Sequence, residues 1–509
     1  MIVDSKSEYG RFRAPKFWWI WLIIVRIVRA VYAVRTDFFV EAVLPGEITS
    51  IETGAEGRMG GNSAAGFRRA GLMGAFLASA ALGCLSSARA QDAESAQPAD
   101  QVAALNATPV DIGATIEQSV VQPGAVFPDF QLGFRADYEA FKRRLWQEHG
   151  FRFAVNYSQI LQYASETLPI APADTSLSAW AALDLIWAPI DRGGDFEGSA
   201  AVTVAWRGSL DGNPVNAAFG VPSVGSLWSA YEWGDWDGIV IENLFWEQRI
   251  AGDLRIRIGN QAPQALYNFS RFKDARTSFT ASPFAFQETI PYPAIGFGVA
   301  ARWQPSPLRG PYVVATLNDM NADPQNGVNW SKVGSEGQFF YGAEFGYRWP
   351  EEAGRFSHLH VNIFYADERA RNPPPLPNEA GWGFRVYGEK QLDSIVLFGG
   401  YTHNTARGGG ISTTFARNTV TGGIAYVNPN SIRGEIALGL VWSEPHKETL
   451  GVAAPGFNAR SQYGTEIYWR AQLTPNTSIT PGLQIIGNPS FNPNASVIAQ
   501  PHFKFRVSF

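Results

Sequence analysis

From Phe151 to the last residue, apolar and polar side chains alternate almost one for one. Phe151, Phe153, Val155 and Tyr157 interleave with Arg152, Ala154, Asn156 and Ser158. The same beat returns at Tyr341, Ala343, Phe345 and Tyr347, at Leu359, Val361, Ile363 and Tyr365, at Trp382, Phe384 and Val386, and at Tyr463, Thr465, Ile467 and Trp469. A period of two puts successive side chains on opposite faces of a strand, so each run has one greasy and one wet face. About sixteen such runs follow one another, a number that suits a transmembrane barrel. They start near residues 151, 178, 199, 239, 254, 297, 312, 338, 358, 382, 395, 418, 435, 461, 477 and 496.

The connections between the runs alternate in length. Gly252-Asp253, Pro305 to Gly310, Pro350 to Gly354, Gln391 to Asp393 and Thr474 to Asn476 are short, whereas 208–237, 261–296, 320–337, 368–380, 403–417 and 443–460 are long. Tight periplasmic turns facing long external loops are the asymmetry of an outer-membrane barrel. An even strand count returns the C-terminus to the periplasmic side. The last run ends with Phe503, Phe505, Val507 and terminal Phe509 on one face and His502, Lys504, Arg506 and Ser508 on the other. A closing strand that ends in phenylalanine resembles the signal read by the outer-membrane assembly machinery, here Phe505, Val507 and Phe509. Trp180, Trp187, Trp303, Trp349, Trp442 and Trp469 are candidates for the two interfacial girdles.

Upstream of the barrel the chain divides into four parts. Arg68 and Arg69 precede an apolar run from Ala70 to Leu82, and Ser86-Ser87-Ala88-Arg89-Ala90 closes it. Residues 59–90 therefore read as a signal peptide that starts at Met59 and is cleaved after Ala90. Residues 1–58, with the Trp- and Ile-rich stretch Phe17–Val34 broken by Arg26 and Arg29, read as an extension created by a mis-called start. Residues 91–128 are rich in Ala, Gln, Asp and Pro without periodicity and read as a flexible mature N-terminus. Within 129–150, Phe134, Tyr138, Phe141 and Leu145 recur at helical spacing, which predicts a short periplasmic helix stopped near Gly150. The barrel occupies 151–509. The fold class expected is all-β, a transmembrane antiparallel barrel.

Composition excludes several classes. A net charge of −5 gives no reason to expect nucleic acid. A mean hydropathy of −0.11 is too polar for a bundle of membrane helices, while a barrel hides its membrane signal by alternation. The single cysteine, Cys84, falls in the signal peptide, so the mature chain has neither a disulfide framework nor a thiolate metal site. No cofactor, metal or catalytic residue is expected.

Inward positions carry the chemistry of a pore. With Leu254, Ile256 and Ile258 facing lipid, Arg255 and Arg257 face inward, and the same parity places Arg152, Arg302, Arg385, Glu466, Tyr468 and Arg470 there, with Glu344, Glu389, Tyr387, Lys504 and Arg506. The long segment 261–296 is the constriction candidate, with Arg271, Lys273, Asp274, Arg276 and Glu288. Planar guanidiniums and carboxylates make paired hydrogen bonds to hydroxyl-rich solutes, and aromatic faces add apolar contact. For any one of these charges, pairing with its neighbours inside the lumen is the commoner role.

The run Gly464-Thr465-Glu466-Ile467-Tyr468-Trp469-Arg470-Ala471-Gln472-Leu473-Thr474-Pro475, followed by Ile479-Thr480-Pro481-Gly482-Leu483-Gln484-Ile485-Ile486, Asn488-Pro489 and Asn492-Pro493, resembles the penultimate hairpin and following loop of the carbohydrate-selective porins of the OprB family. Pro293-Ala294-Ile295-Gly296-Phe297-Gly298-Val299 and Arg257-Ile258-Gly259-Asn260-Gln261 are similar to two further segments of that family. The resemblance runs from roughly residue 130 to the end. It implies a sixteen-stranded barrel in a Gram-negative outer membrane and passive, selective diffusion of monosaccharides and polyols. The partners implied are small sugars, outer-membrane lipid and lipopolysaccharide, and the assembly machinery, with monomer and homotrimer both open. The family's Trp-Gly-rich entry to the first helix is reduced here to Gln131-Leu132-Gly133-Phe134.

The lumen arginines keep an anion- or phosphate-preferring pore, or a general diffusion pore, as the alternative. Carboxylates on the same inward face weigh against a strong anion filter. A membrane-embedded hydrolase would need a serine–histidine pair on the outer wall, and His403 and His446 fall in loops. An adhesin would use the long loops. His358-x-His360 lacks a third zinc ligand. Asp319-x-Asn321-x-Asp323 lacks the Gly and Glu of a calcium loop. Arg407-Gly408-Gly409-Gly410 is followed by no Lys-Ser/Thr and is not a phosphate loop. N-terminal sequencing of the membrane-extracted protein is expected to read Gln91-Asp92-Ala93; a start at Met1 or Met59 would refute cleavage after Ala90.

Overall fold

Sixteen strands close on themselves in chain order, each antiparallel to both neighbours. They are β1 (Phe151–Tyr163), β2 (Thr175–Ile190), β3 (Gly198–Ser209), β4 (Val240–Ile250), β5 (Leu254–Gln261), β6 (Gly296–Trp303), β7 (Gly310–Asp319), β8 (Phe339–Pro350), β9 (Phe356–Ala366), β10 (Gly381–Leu392), β11 (Ile395–Asn404), β12 (Ala416–Val427), β13 (Glu435–Pro445), β14 (Gln462–Thr474), β15 (Thr477–Gly487) and β16 (Val497–Ser508). Every start lies within three residues of the position expected from the alternation. The computed structural model describes residues 111–509 apart from short stretches of the N-terminal segment and of several loops, and none of residues 1–110. The expected extension 1–58, the signal peptide 59–90 and most of 91–128 thus lie outside the described residues. Among the described residues no helix is long and apolar enough to cross a membrane.

Two short helices precede the wall: α1 (Ile112–Glu117) and α2 (Arg135–His149). The second falls inside the expected 129–150. Gly150 ends it in the left-handed region at φ 74°, and a Cβ there would stand 2.7 Å from the Ala188 carbonyl oxygen. That oxygen's own residue binds back, since the Ala188 N–H donates to the Gly150 carbonyl at 2.9 Å. Tyr138 and Phe141 of α2 meet Phe153 edge-on, which holds the helix against the start of β1. The turns at that rim are tight: between β4 and β5, Ala251 and Gly252 both take positive φ (53° and 77°), a reversal that matches strand twist. This turn rim also carries the C-terminus; the long connections lie at the opposite, loop rim.

Closure pairs Asn156 with Ser508 and Gln162 with His502. It extends to the last residue, where Val155 and Phe509 exchange backbone hydrogen bonds of 2.9 Å each. The burial of side chains is inverted relative to a water-soluble protein. Leu440 is 58% exposed on the outer face, and Leu161, Leu359, Val386, Val420 and Ile467 stand out beside it, while Glu344 is 0% exposed on the inner face with Asn362, Thr480, Lys504 and His502. Such a surface is stable only where the solvent is hydrocarbon. Trp187, Trp349 and Trp469 stand outward near the turn rim and Trp442 near the loop rim, as girdle residues do. Two of the expected girdle residues differ. Trp180 pairs with Ser158 and points inward at 2% exposure, and Trp303 is on the outer side but buried at 8%.

Leu440→Arg, at the middle of β13's outer face, is expected to destabilise the barrel by about 2–4 kcal/mol in urea titrations of protein folded into lipid vesicles. A loss near zero would mean that this face does not meet hydrocarbon.

Candidate functional site

The chain between β5 and β6 does not stay at the rim. Residues 262–295 enter the barrel and are held there by aromatic side chains that a solvent loop would not carry. Tyr267 and Tyr292 pack with Phe340 of β8. Phe269 meets Phe356 and His358 of β9. Phe272, Phe279 and Phe284 gather on Phe398 of β11, and Phe279 meets Tyr468 of β14 edge-on at 4.8 Å. The wall makes room at glycines: a Cβ on Gly439 would sit 2.6 Å from the Phe284 ring, and one on Gly342 would sit 3.1 Å from Tyr267.

Polar stitches fix the segment on opposite walls. On the β8–β10 side, the Asn268 N–H donates to the Glu344 carboxylate and Arg385 donates to the Asn268 side-chain oxygen. Arg271 pairs with Glu389 and donates to the Phe356 carbonyl at 2.8 Å. Lys273 turns back and caps three carbonyls of the segment itself, those of Gln264, Tyr267 and Asn268, at 2.9–3.0 Å. On the β14–β16 side, the Glu466 carboxylate accepts from the Thr280 and Ala281 N–H groups at 2.6 and 2.8 Å. Lys504 donates to the Ser278 carbonyl. Asp274 lies 2.6 Å from Arg276 and 3.3 Å from Arg506. Burial works against a charge on Asp274, but these two guanidiniums outweigh it and hold the carboxyl below its ordinary range. Arg276 also lies 4.4 Å from the Trp180 ring, which explains why that tryptophan points inward.

The sequence-derived residues fall into three groups. Arg271, Lys273, Asp274, Arg276, Arg385 and Glu466 are brought together by the inward segment, and their charges are spent on holding it. Arg255, Arg257 and Arg302 form a separate cluster on the β5–β6 wall. There Arg257 grips Glu247 at 2.7 and 3.0 Å, and Arg302 donates to Gln304 and to the Leu266 carbonyl. Tyr468 and Arg470 share Glu435, the latter at 3.1 Å. Arg152 stands apart at the turn rim, 3.7 Å from the Trp146 ring of α2. Glu288 lies outside the described residues. Phe505 and Val507 are on the outer face, as parity requires. His358 and His360 stack at 5.5 Å inside the wall, and among the described residues no group of three metal-ligating side chains occurs.

Several lumen residues escape a reading by sequence. The connection between β3 and β4 also enters: Leu227 N–H donates to Gln462, Trp228 Nε1 donates to Ser443 at 3.0 Å, and Ser229 N–H reaches Ser282 of the first inward segment. Buried aromatic and small residues in a stretch otherwise expected to be polar were the available signal. Glu247 and Arg249 face inward on β4, directly opposite Arg257 and Arg255, where the outward parity of Trp246, opposite Ile258, would have found them. Asp111 lies in a segment with no periodicity at all, and nothing in the sequence marks it.

No family model and no curated relative matches this chain. Among solved structures, Pseudomonas putida OprB in its high-pH form is similar in fold, with a TM-score of 0.55 and 14% identity over 73% of this chain and 97% of that one. An engineered Rh. blastica porin aligns at a TM-score of 0.39 and 16% identity over 70% of this chain and all of that one.

Glu466→Ala removes the acceptor of two buried N–H groups and is expected to cost about 1.5–3 kcal/mol of stability in vesicles. Glu466→Gln, which keeps one oxygen acceptor, should cost less. Losses near zero in both variants would show that the carboxylate does not hold the segment.

Proposed function

We propose that this chain is an outer-membrane diffusion pore of the OprB type, passing small hydroxyl-rich solutes through a lumen narrowed by residues 262–295. The carrying observation is the closed sixteen-stranded wall, lipid-facing outside and polar inside, with two connections entering its interior and residues 262–295 stitched across it. Such a wall encloses a path, and the inward segment decides how wide the path is. The likeness in fold to OprB of Pseudomonas putida supports the choice of family.

The carbohydrate reading draws support from the charge arrangement. Guanidiniums and carboxylates are interleaved on the inner face, as in Arg271–Glu389, Arg470–Glu435 and Arg255–Glu247, so the interior presents paired donors and acceptors rather than a field of one sign. Arg470 and Arg271 keep part of their side chains exposed (34% and 21%). Hydroxyl groups need such donors and acceptors. In this reading the turn rim is periplasmic and the loop rim external, residues 59–90 direct export, and the closing strand with Phe505, Val507 and Phe509 is the assembly signal. The chemistry of the pore requires no cofactor and makes no bond.

Refolded protein in planar bilayers should give discrete channels that close in a dose-dependent way with glucose and not with phosphate. Closure by phosphate alone would favour the anion pore, and absence of channels would refute the diffusion reading.

A further inference from the structure

Three arginines stand side by side on the inner face near the turn rim. Arg249 of β4 is directly opposite Arg255 of β5, which is directly opposite Arg302 of β6. Arg257 occupies the next inward position of β5. Like charges in directly opposed positions repel and weaken a sheet. The wall supplies Glu247 to Arg255 and Arg257, at 3.4 and 2.7 Å, while Glu197 and Asp195 of the β2–β3 turn act on Arg249 and Glu344 of β8 acts on Arg302.

One further carboxylate comes from outside the wall. Asp111 stands at the head of α1, where one carboxylate oxygen accepts from the Gly113 N–H at 3.1 Å. The other lies 2.7 Å from Arg257 Nη1, and the same carboxylate acts electrostatically on Arg302. Ile112 and Ile116 hold α1 against Ala154, Ala201 and Phe245 of the inner wall. Farther along, the Val126 and Phe127 N–H groups donate to the Gln472 and Leu473 carbonyls at the turn end of β14. α1 thus delivers one carboxylate to the arginine cluster.

We propose that Arg249, Arg255, Arg257 and Arg302 form a binding station for carboxylate-bearing solutes such as sugar acids, and that Asp111 occupies it as a tethered stand-in. The proposal rests on the pore reading and names a solute class for one part of it. A guanidinium fork fits a carboxylate in two-point contact, and the chain's own occupant of the station is a carboxylate. A tethered ligand competes at a high effective concentration, so a free sugar acid must displace it. Release of Asp111 and arrival of the solute are then one exchange.

The test is equilibrium binding by calorimetry to the detergent-solubilised protein, which needs no conduction and so fails independently of the pore. The probes are glucuronate, glucose and inorganic phosphate. Asp111→Asn should tighten glucuronate binding by about tenfold or more, the effect of removing a tethered competitor, while glucose changes less than about twofold. Ile116→Asn, which undocks α1 without adding a carboxylate and keeps Asp111, should tighten glucuronate in the same way. Glucuronate affinity unchanged in both variants overturns the proposal, and so does phosphate binding more tightly than glucuronate to Asp111→Asn.

Discussion

Hydrocarbon offers no partner to a backbone N–H or carbonyl, and the whole molecule is arranged around that fact. An open sheet would leave two edges of unpaired groups in lipid, so the first and last strands must meet. They do so from Gln162 with His502 down to Val155 with Phe509, which makes the chain's last residue part of the wall. Closure links strand number, tilt and width, and sixteen strands leave an interior that side chains of the wall alone do not fill.

The interior is then governed by the complementary requirement. Side chains on the inner face are polar because the outer face takes the apolar ones, and a polar group withdrawn from water needs a partner. Much of that partnering comes from segments that enter from the rims. Residues 262–295 bring backbone N–H groups to Glu344 and Glu466 and carbonyls to Lys504 and Arg302. The aromatic residues of the same segment fill the dents left by Gly342 and Gly439. Entry of the segment into the barrel and satisfaction of the inner wall are thus one structural event, and the charges most conspicuous in the sequence are the ones most occupied in holding the segment. The turn-rim arginines fit the same rule, with Asp111 arriving from beyond the wall.

Much of this was legible before any coordinates. The wall was readable because its determinant is local: a face of lipid requires an apolar residue at every second position, and the alternation at Tyr463–Trp469 or Leu359–Tyr365 states the facing of each side chain directly. The inward course of 262–295 was readable from its length and from its mixture of aromatic and charged residues. Trp180 was misplaced because a tryptophan near a strand end suits a girdle on composition alone; only its pairing with Ser158 and the approach of Arg276 reveal that it faces inward. The second inward connection, through Trp228, left a weaker trace, since its partners Ser443 and Gln462 lie more than two hundred residues away.

The sequence by itself therefore determined the architecture: sixteen strands, their facing, the side of the barrel that bears the turns, and the lipid environment, because each of these follows from periodicity and connection length. Which charges meet was decided only by the tertiary structure. Arg271 finds Glu389, Asp274 finds Arg506 and Asp111 finds Arg257 across separations of more than a hundred residues. A contact across a closed barrel depends on strand register and on how far a loop reaches inward, and neither quantity is written in any local stretch of the chain.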